Sequence, residues 1–323
     1  MNTRIALYAL ADKYRLDATA VRSLFSAAGF NQEPDDLRLW FFKGAAILAA
    51  ALGGLGVIFW LAANWDTLGR TGRFALLQGV VVVMGVGAGL QPKLRAPLGL
   101  LALLCTGGLF AYFGQTYQTG ADTWQLFALW AVLGLFLGLG ARSDVLWAPW
   151  ALVALTANTL WTFAHTGHRW RVESQDLATY AIAWAAAICV VVLVSPVFAR
   201  WTGAGVWAVR TAATFTVITI TLAAISGLFN QPIAPHFLLA LLLFALAAMV
   251  LAQRAVFEIF VLSAVALGLN AMLVAGFVRW LFDGNSGNLI GKLLFTGLVA
   301  AGLLAASVSA INRLARQHQI EAK

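Results

Sequence analysis

The sequence predicts an all-α fold, a polytopic transmembrane helix bundle of about ten spans with a short N-terminal helical hairpin. Three observations predict it. Of the 323 residues, 61% are hydrophobic and 11% charged, against about half and about one quarter in soluble globular chains. The apolar residues gather in runs of roughly 20, the length that crosses a bilayer. The breaks between runs are short, so little chain remains for a soluble domain. The net charge of +8 raises first the question of which side of the membrane the basic residues occupy. No nucleic-acid partner is expected.

Residues 1–36 read as a cytoplasmic or membrane-surface helical hairpin. Asp17 is a candidate N-cap for its second helix. Val21, Leu24, Phe25 and Ala28 follow as an apolar stripe, and Gly29 is the expected stop. The charged residues Arg4, Asp12, Lys13, Arg15, Asp17 and Arg22 interrupt this segment. It therefore does not read as a cleavable signal peptide, and the first span is expected to act as its own insertion signal. The bundle is expected over 37–312, with a cytoplasmic tail at 313–323.

Ten apolar runs are expected near 38–63, 73–90, 97–116, 123–141, 145–165, 177–198, 207–229, 236–252, 255–281 and 289–311. With the N-terminus inside, 15 of the 21 lysines and arginines fall on the cytoplasmic side. That bias places both termini in the cytoplasm of an inner-membrane protein. Cys105 and Cys189 lie inside apolar runs and read as packing residues. Gly85 with Gly89, and Gly134 with Gly138, have the spacing that lets helices approach closely, within one chain or between copies of a homo-oligomer.

Polar residues of the first five runs gather at their outer ends. The first run closes through Asn64, Trp65 and Asp66; Arg70, Arg73 and Gln78 open the second; Gln115, Tyr117 and Gln118 close the third. Asn158, Thr162 and His165 share one face of the fifth. Polar side chains at membrane depth face a partner or a wet cavity, so an outward-facing polar pocket is expected among these runs. Its expected ligand-binding residues are Asn64, Asp66, Arg70, Arg73, Gln115, Tyr117, Gln118 and Asp122.

Plainer readings stand beside these: Arg70 and Arg73 read as partners of Asp66 that fix the first hairpin. Asp122, three residues before Gln125, matches a reciprocal helix cap. Trp65, Trp124, Trp147 and Trp170 read as interface anchors. Asn158 and Thr162 read as ties between helices. Glu258, four residues after Arg254, reads as half of a helix-surface ion pair. His165 and His168 resemble half a zinc site without a third ligand, so no metal or other cofactor is expected. No charged residue falls deep in a run, which argues against a proton-relay pump.

Two strings, AANWDTLGRTGRFALL (62–77) and GQTYQTGADTWQLFALWA (114–131), resemble the signature segments of the bacterial membrane proteins grouped as domain of unknown function 2157. The first resembles that family's Asn-Trp-Asp close of the opening span. The second resembles its Gly-Gln-x-Tyr-Gln-Thr-Gly-Ala-Asp turn. The resemblance implies an integral protein of the bacterial inner membrane with no assigned activity. It also implies a membrane-anchored partner carrying a GDYxxLxY motif.

The functional expectation is a binding or transport-related envelope component, with an anionic group held by the arginines. Two alternatives stand beside it. One is a scaffold for the membrane-anchored partner. The other is an intramembrane glycosyltransferase-like enzyme using Asp66 in the first outer loop. No catalytic residue is assigned.

Overall fold

The computed structural model describes residues 3–28, 37–64, 67, 69–117, 122–167, 171–283 and 289–320. Among them there is no strand, and the chain is all-α as expected. It divides into two units, Met1–Ala49 and Ala50–Lys323.

In the first unit, α1 (Thr3–Lys13) and α2 (Ala18–Ala27) pack as a hairpin. Asp17 is the N-cap of α2, its Oδ1 accepting the Ala20 N–H at 2.7 Å. This bond satisfies one of the donors that a helix start leaves open. Tyr8 of α1 meets Phe25 of α2 with ring centroids 5.0 Å apart. Val21, Leu24 and Phe25 of the stripe are half-buried, while Ala28 is exposed. Gly29 lies outside the described residues. The helix α3 (Leu37–Ala63) begins in the first unit and ends in the second.

The second unit continues with α4 (Arg70–Leu90), α5 (Arg95–Tyr117), α6 (Thr123–Ala141), α7 (Asp144–His165), α8 (Leu177–Leu193), the short α9 (Ala199–Thr202), α10 (Val206–Leu228), α11 (His236–Leu251), α12 (Ile259–Phe282) and α13 (Leu289–Ile320). Each of the ten apolar runs coincides with one long helix from α3 to α13, α9 excepted. Among the described residues, seven helices are long and apolar enough to cross a membrane: α4, α5, α6, α8, α10, α12 and α13. The 16 residues of α11 and the stretch Phe41–Val57 of α3 are apolar but shorter. At 1.5 Å per residue α11 reaches about 24 Å, short of a typical hydrocarbon core of about 30 Å. The seventh helix is long enough but carries Asp144, Asn158 and His165. The expected count of about ten is therefore approximate.

The helices α7 and α10 run through the middle of the second unit. One core cluster joins Trp147, Ala151 and Leu155 to Ala208 and Ala212. A second joins Tyr180, Trp184, Ile220, Phe237, Phe244 and Met272. Alanines on α10 let α7 come close, and large side chains on α7 fill the space between. Trp147 is fully buried, and its indole N–H donates to Thr202 O at 2.7 Å. It is a core residue rather than an interface anchor. Gly134 and Gly138 are covered by Leu103 and Trp150 and by Trp147, so this pair packs within the chain. No described residue comes within 4 Å of where a Cβ would stand at Gly85 or Gly89.

One end of the second unit is fastened by polar bonds between segments remote in sequence. Asp144 accepts from Gly205 N (2.9 Å), Trp207 N (3.0 Å) and Ala208 N (2.9 Å), capping α10 from the first turn of α7. Arg142 donates from its guanidinium to Arg200 O. Gly203 takes a positive φ of 67°, with Arg142 O only 2.4 Å from where a Cβ would stand. Glu258 pairs with Arg210 at 2.8 Å and caps α12 through Val261 N at 2.6 Å. Residues 254–256 are a 3-10 turn and Glu258 precedes α12. Arg254 and Glu258 therefore do not share a helix face as expected, and Glu258 reaches Arg210 on α10.

Candidate functional site

The residues expected to bind a ligand fall at the α3–α4 and α5–α6 connections. Asn64 turns back on its own helix, donating to Trp60 O at 2.9 Å. Arg70 and Tyr117 are brought together, the guanidinium lying 5.7 Å from the ring centroid. Tyr117 also meets Phe74 at 5.7 Å and Phe113 at 4.9 Å, and Phe74 meets Tyr112 at 4.6 Å. This aromatic cluster joins α4 to α5 and holds one arginine face, leaving the guanidinium edge as donor. Arg73 is half-buried in the first turn of α4, and Gln115 and Gln78 are exposed. Asp122 occupies the N-cap position of α6 with extended backbone, but its side chain makes no capping bond, so the reciprocal cap with Gln125 is not formed. Asp66, Gln118, Trp65, Trp170 and His168 lie outside the described residues.

A groove of about 360 Å³ lies between α7, α8 and α10. Asn158, Thr159 and Thr162 of α7 line it, facing Tyr180, Trp184 and Ala187 of α8 and Thr219, Leu222, Ala223 and Ser226 of α10. The polar face of the fifth run thus turns to the sixth and seventh runs. Counted from the helix ends, the groove reaches about 10–15 Å inward along α7 and α10.

Asn158 ties α7 to α8 through a bond from its Nδ2 to Ala183 O at 2.9 Å. Its carboxamide oxygen makes no bond among the described residues, and Asn158 is one of the groove's lining residues. The threonine hydroxyls are spent on their own helices: Thr159 on Leu155 O, Thr162 on Asn158 O, and Thr219 on Phe215 O and Thr216 O. They present oxygen lone pairs to the groove and no free N–H.

The loop after α7 closes one end. Val172 N donates to Ser226 Oγ at 3.2 Å, and Asn230 donates to Val172 O. Arg171 donates to Asn230 Oδ1 at 2.9 Å, and Arg279 of α12 to Asn230 O at 2.8 Å. Behind the aromatic wall, the buried His236 sets its ring edge-on to Tyr180 at 5.0 Å and near Trp184 at 6.3 Å. The arrangement suits a molecule with an apolar body and one or two donor groups. The oxygen of Asn158 would receive a donor deep in the groove, and Arg171 and Arg279 are fastened to Asn230, the partner of the lining residue Val172.

Sequence reasoning missed Tyr180, Trp184, Ser226 and His236. Tyr180 and Trp184, four apart, put two polar-tipped rings on one face of α8, which was the legible signal. His236 opens an otherwise unbroken apolar run. Among the described residues there is no group of three or more His, Cys, Asp or Glu able to hold a metal.

Residues 8–147 match the family model described as predicted membrane protein (DUF2157). The DUF2157 match contains both signature-like strings and the Arg70–Tyr117 cluster. It stops at the first turn of α7, before the groove. No curated protein and no solved structure matches the chain.

Proposed function

We propose that this helical membrane protein with its DUF2157 segment binds an amphipathic ligand, as a binding or transport-related component of the inner membrane of a bacterial envelope. The carrying observation is the groove between α7, α8 and α10, with the fixed carboxamide of Asn158 at its depth, and Arg171 and Arg279 fastened to Asn230 beside its Val172 end. An apolar tail lies against Trp184, Leu222 and Ala223, and an anionic or sugar-bearing head reaches the rim. Arg70, with Tyr117, Gln115 and Arg73 near it, offers a second polar contact for such a head, on the residues with the DUF2157 match. The same exposed cluster supports a second reading, a scaffold docking a membrane-anchored partner there. In either reading the N-terminus is cytoplasmic and the groove opens outward.

A photoactivatable phospholipid, with its diazirine at the end of one acyl chain, tests the groove. The full chain in bilayer nanodiscs is expected to be labelled preferentially on α8 and α10. Ala223→Trp fills the groove and is expected to remove that labelling while leaving labelling of α13 unchanged. Labelling spread evenly over every exposed apolar face would count against the proposal.

A further inference from the structure

A second cavity, of about 290 Å³, lies between α4, α5 and α6 at the opposite end of the bundle from the groove. Gly85, Gly89 and Gly140 line it together with Arg95 and Phe136. Four features set it apart from a packing defect.

The glycines are not needed for packing within the chain. A Cβ added at Gly85, Gly89 or Gly140 would meet nothing within 4 Å. At Gly99, on the inner wall of the same cavity, it would lie 2.8 Å from Leu146. The three outer glycines hold open a space that no part of the described chain fills.

The cavity carries a cation without a matching anion. Arg95 is half-buried, and its Nε donates to Ala88 O at 3.3 Å. Its two terminal nitrogens make no further bond among the described residues. Among the described residues, the carboxylates at this end of the second unit are engaged elsewhere. Asp144 is held by three N–H groups of α10, and Glu258 by Arg210 and the start of α12.

The cavity's surroundings are those of a lipid-facing surface. Val86, Leu90 and Phe136 are 54%, 74% and 67% exposed, so its flanks are apolar on both α4 and α6. A soluble anion would gain nothing from such flanks, whereas an acyl chain would. This end of the bundle is also cationic: Lys93 precedes α5, Arg142 follows α6, Arg200 lies in α9 and Arg210 in the second turn of α10. Basic pockets between membrane helices attract anionic headgroups, and each cation near the surface contributes about fivefold in binding.

We propose that this cavity is a binding site for an anionic phospholipid, with the phosphate on the Arg95 guanidinium and one acyl chain lying over Gly85, Gly89 and Gly140. The arginine fork donates two parallel bonds to phosphate oxygens. The bare glycine backbone admits the chain between α4 and α6. The site is separate from the groove of the proposed function and does not depend on it.

Native mass spectrometry of the full chain, released from detergent after titration with phosphatidylglycerol or phosphatidylcholine, tests it. Wild type is expected to retain phosphatidylglycerol about fivefold more strongly. Arg95→Gln is expected to abolish that preference and Arg95→Lys to keep most of it. Gly89→Leu and Gly140→Leu, where an added Cβ meets nothing within 4 Å, are expected to abolish it too, with unchanged helical circular dichroism. An unchanged preference in Arg95→Gln overturns the proposal. So does a loss confined to Arg95→Gln with both leucine variants binding as before, because a surface charge and not the cavity would then be the determinant. Competition by millimolar inorganic phosphate in place of the lipid also overturns it, in favour of a free-anion site.

Discussion

Asp144 shows how much a single side chain can hold. One carboxylate accepts three backbone N–H groups at the start of α10, from a position more than sixty residues earlier. Open donors at a helix start need partners, and an anion is favoured there by the helix dipole. Asp144→Ala leaves all three unmet, and a loss of roughly 2–4 kcal/mol is expected, read as a lower thermal midpoint of the detergent-purified chain. Asp144→Asn keeps an acceptor without the charge, and its loss is expected to be about half as large. An Ala variant as stable as wild type would mean that water caps α10 equally well. Neighbouring Gly205 has its own constraint: a Cβ there would stand 2.8 Å from Asp144 Oδ2.

At the scale of the element, glycines divide into those that helices press on and those they do not. The α5–α6 crossing is tight at Gly107, where an added Cβ would lie 2.3 Å from the Trp130 ring. That indole is fixed by its own bond to Leu103 O at 2.9 Å, so it cannot swing aside freely. Gly107→Ala is therefore expected to destabilise by about 1–3 kcal/mol through overpacking. Gly85→Ala on α4 meets nothing, and the better helix former is expected to stabilise by about 0.5–1 kcal/mol. Paired thermal melts of the two variants check the contrast; equal shifts of the same sign would contradict the packing described for α5 and α6. The outermost helix, α13, packs on α12 and is tied to it through Asn270 and Ser307, at 3.0 and 3.2 Å.

Across the second unit as a whole, the alternation of helices gathers the described connections at two ends. Arg142, Arg200 and Arg210 share one end with Asp144 and Glu258, while Arg171, Asn230 and Arg279 meet at the other. The more basic end is proposed to be cytoplasmic. In a chain whose own cysteines are replaced by alanine, a membrane-impermeant maleimide is expected to label Gln175→Cys in intact cells. Lys93→Cys is expected to react only after lysis. The reverse pattern would turn the bundle over and move the proposed groove to the cytoplasmic side, leaving the fold as described.

Local sequence determined the helices. Run length and hydropathy are properties of contiguous residues, so all ten long helices were legible, as was the Asp17 cap that acts within its own turn. The resemblance to DUF2157 was legible for the same reason, since both of its strings are contiguous. Tertiary structure decided what faces what. Trp147 reads as an interface anchor until α9 supplies Thr202 O, and Glu258 reads as the partner of Arg254 until a break in the helix turns it to Arg210. Asn158 looks toward the first runs until α8 presents Ala183 O. In a chain this uniformly apolar, lipid and protein interior demand the same residues, so hydropathy marks a span without marking which of its faces is covered. Only the packed bundle shows which glycines are filled, which carboxylates are engaged and where the cavities lie.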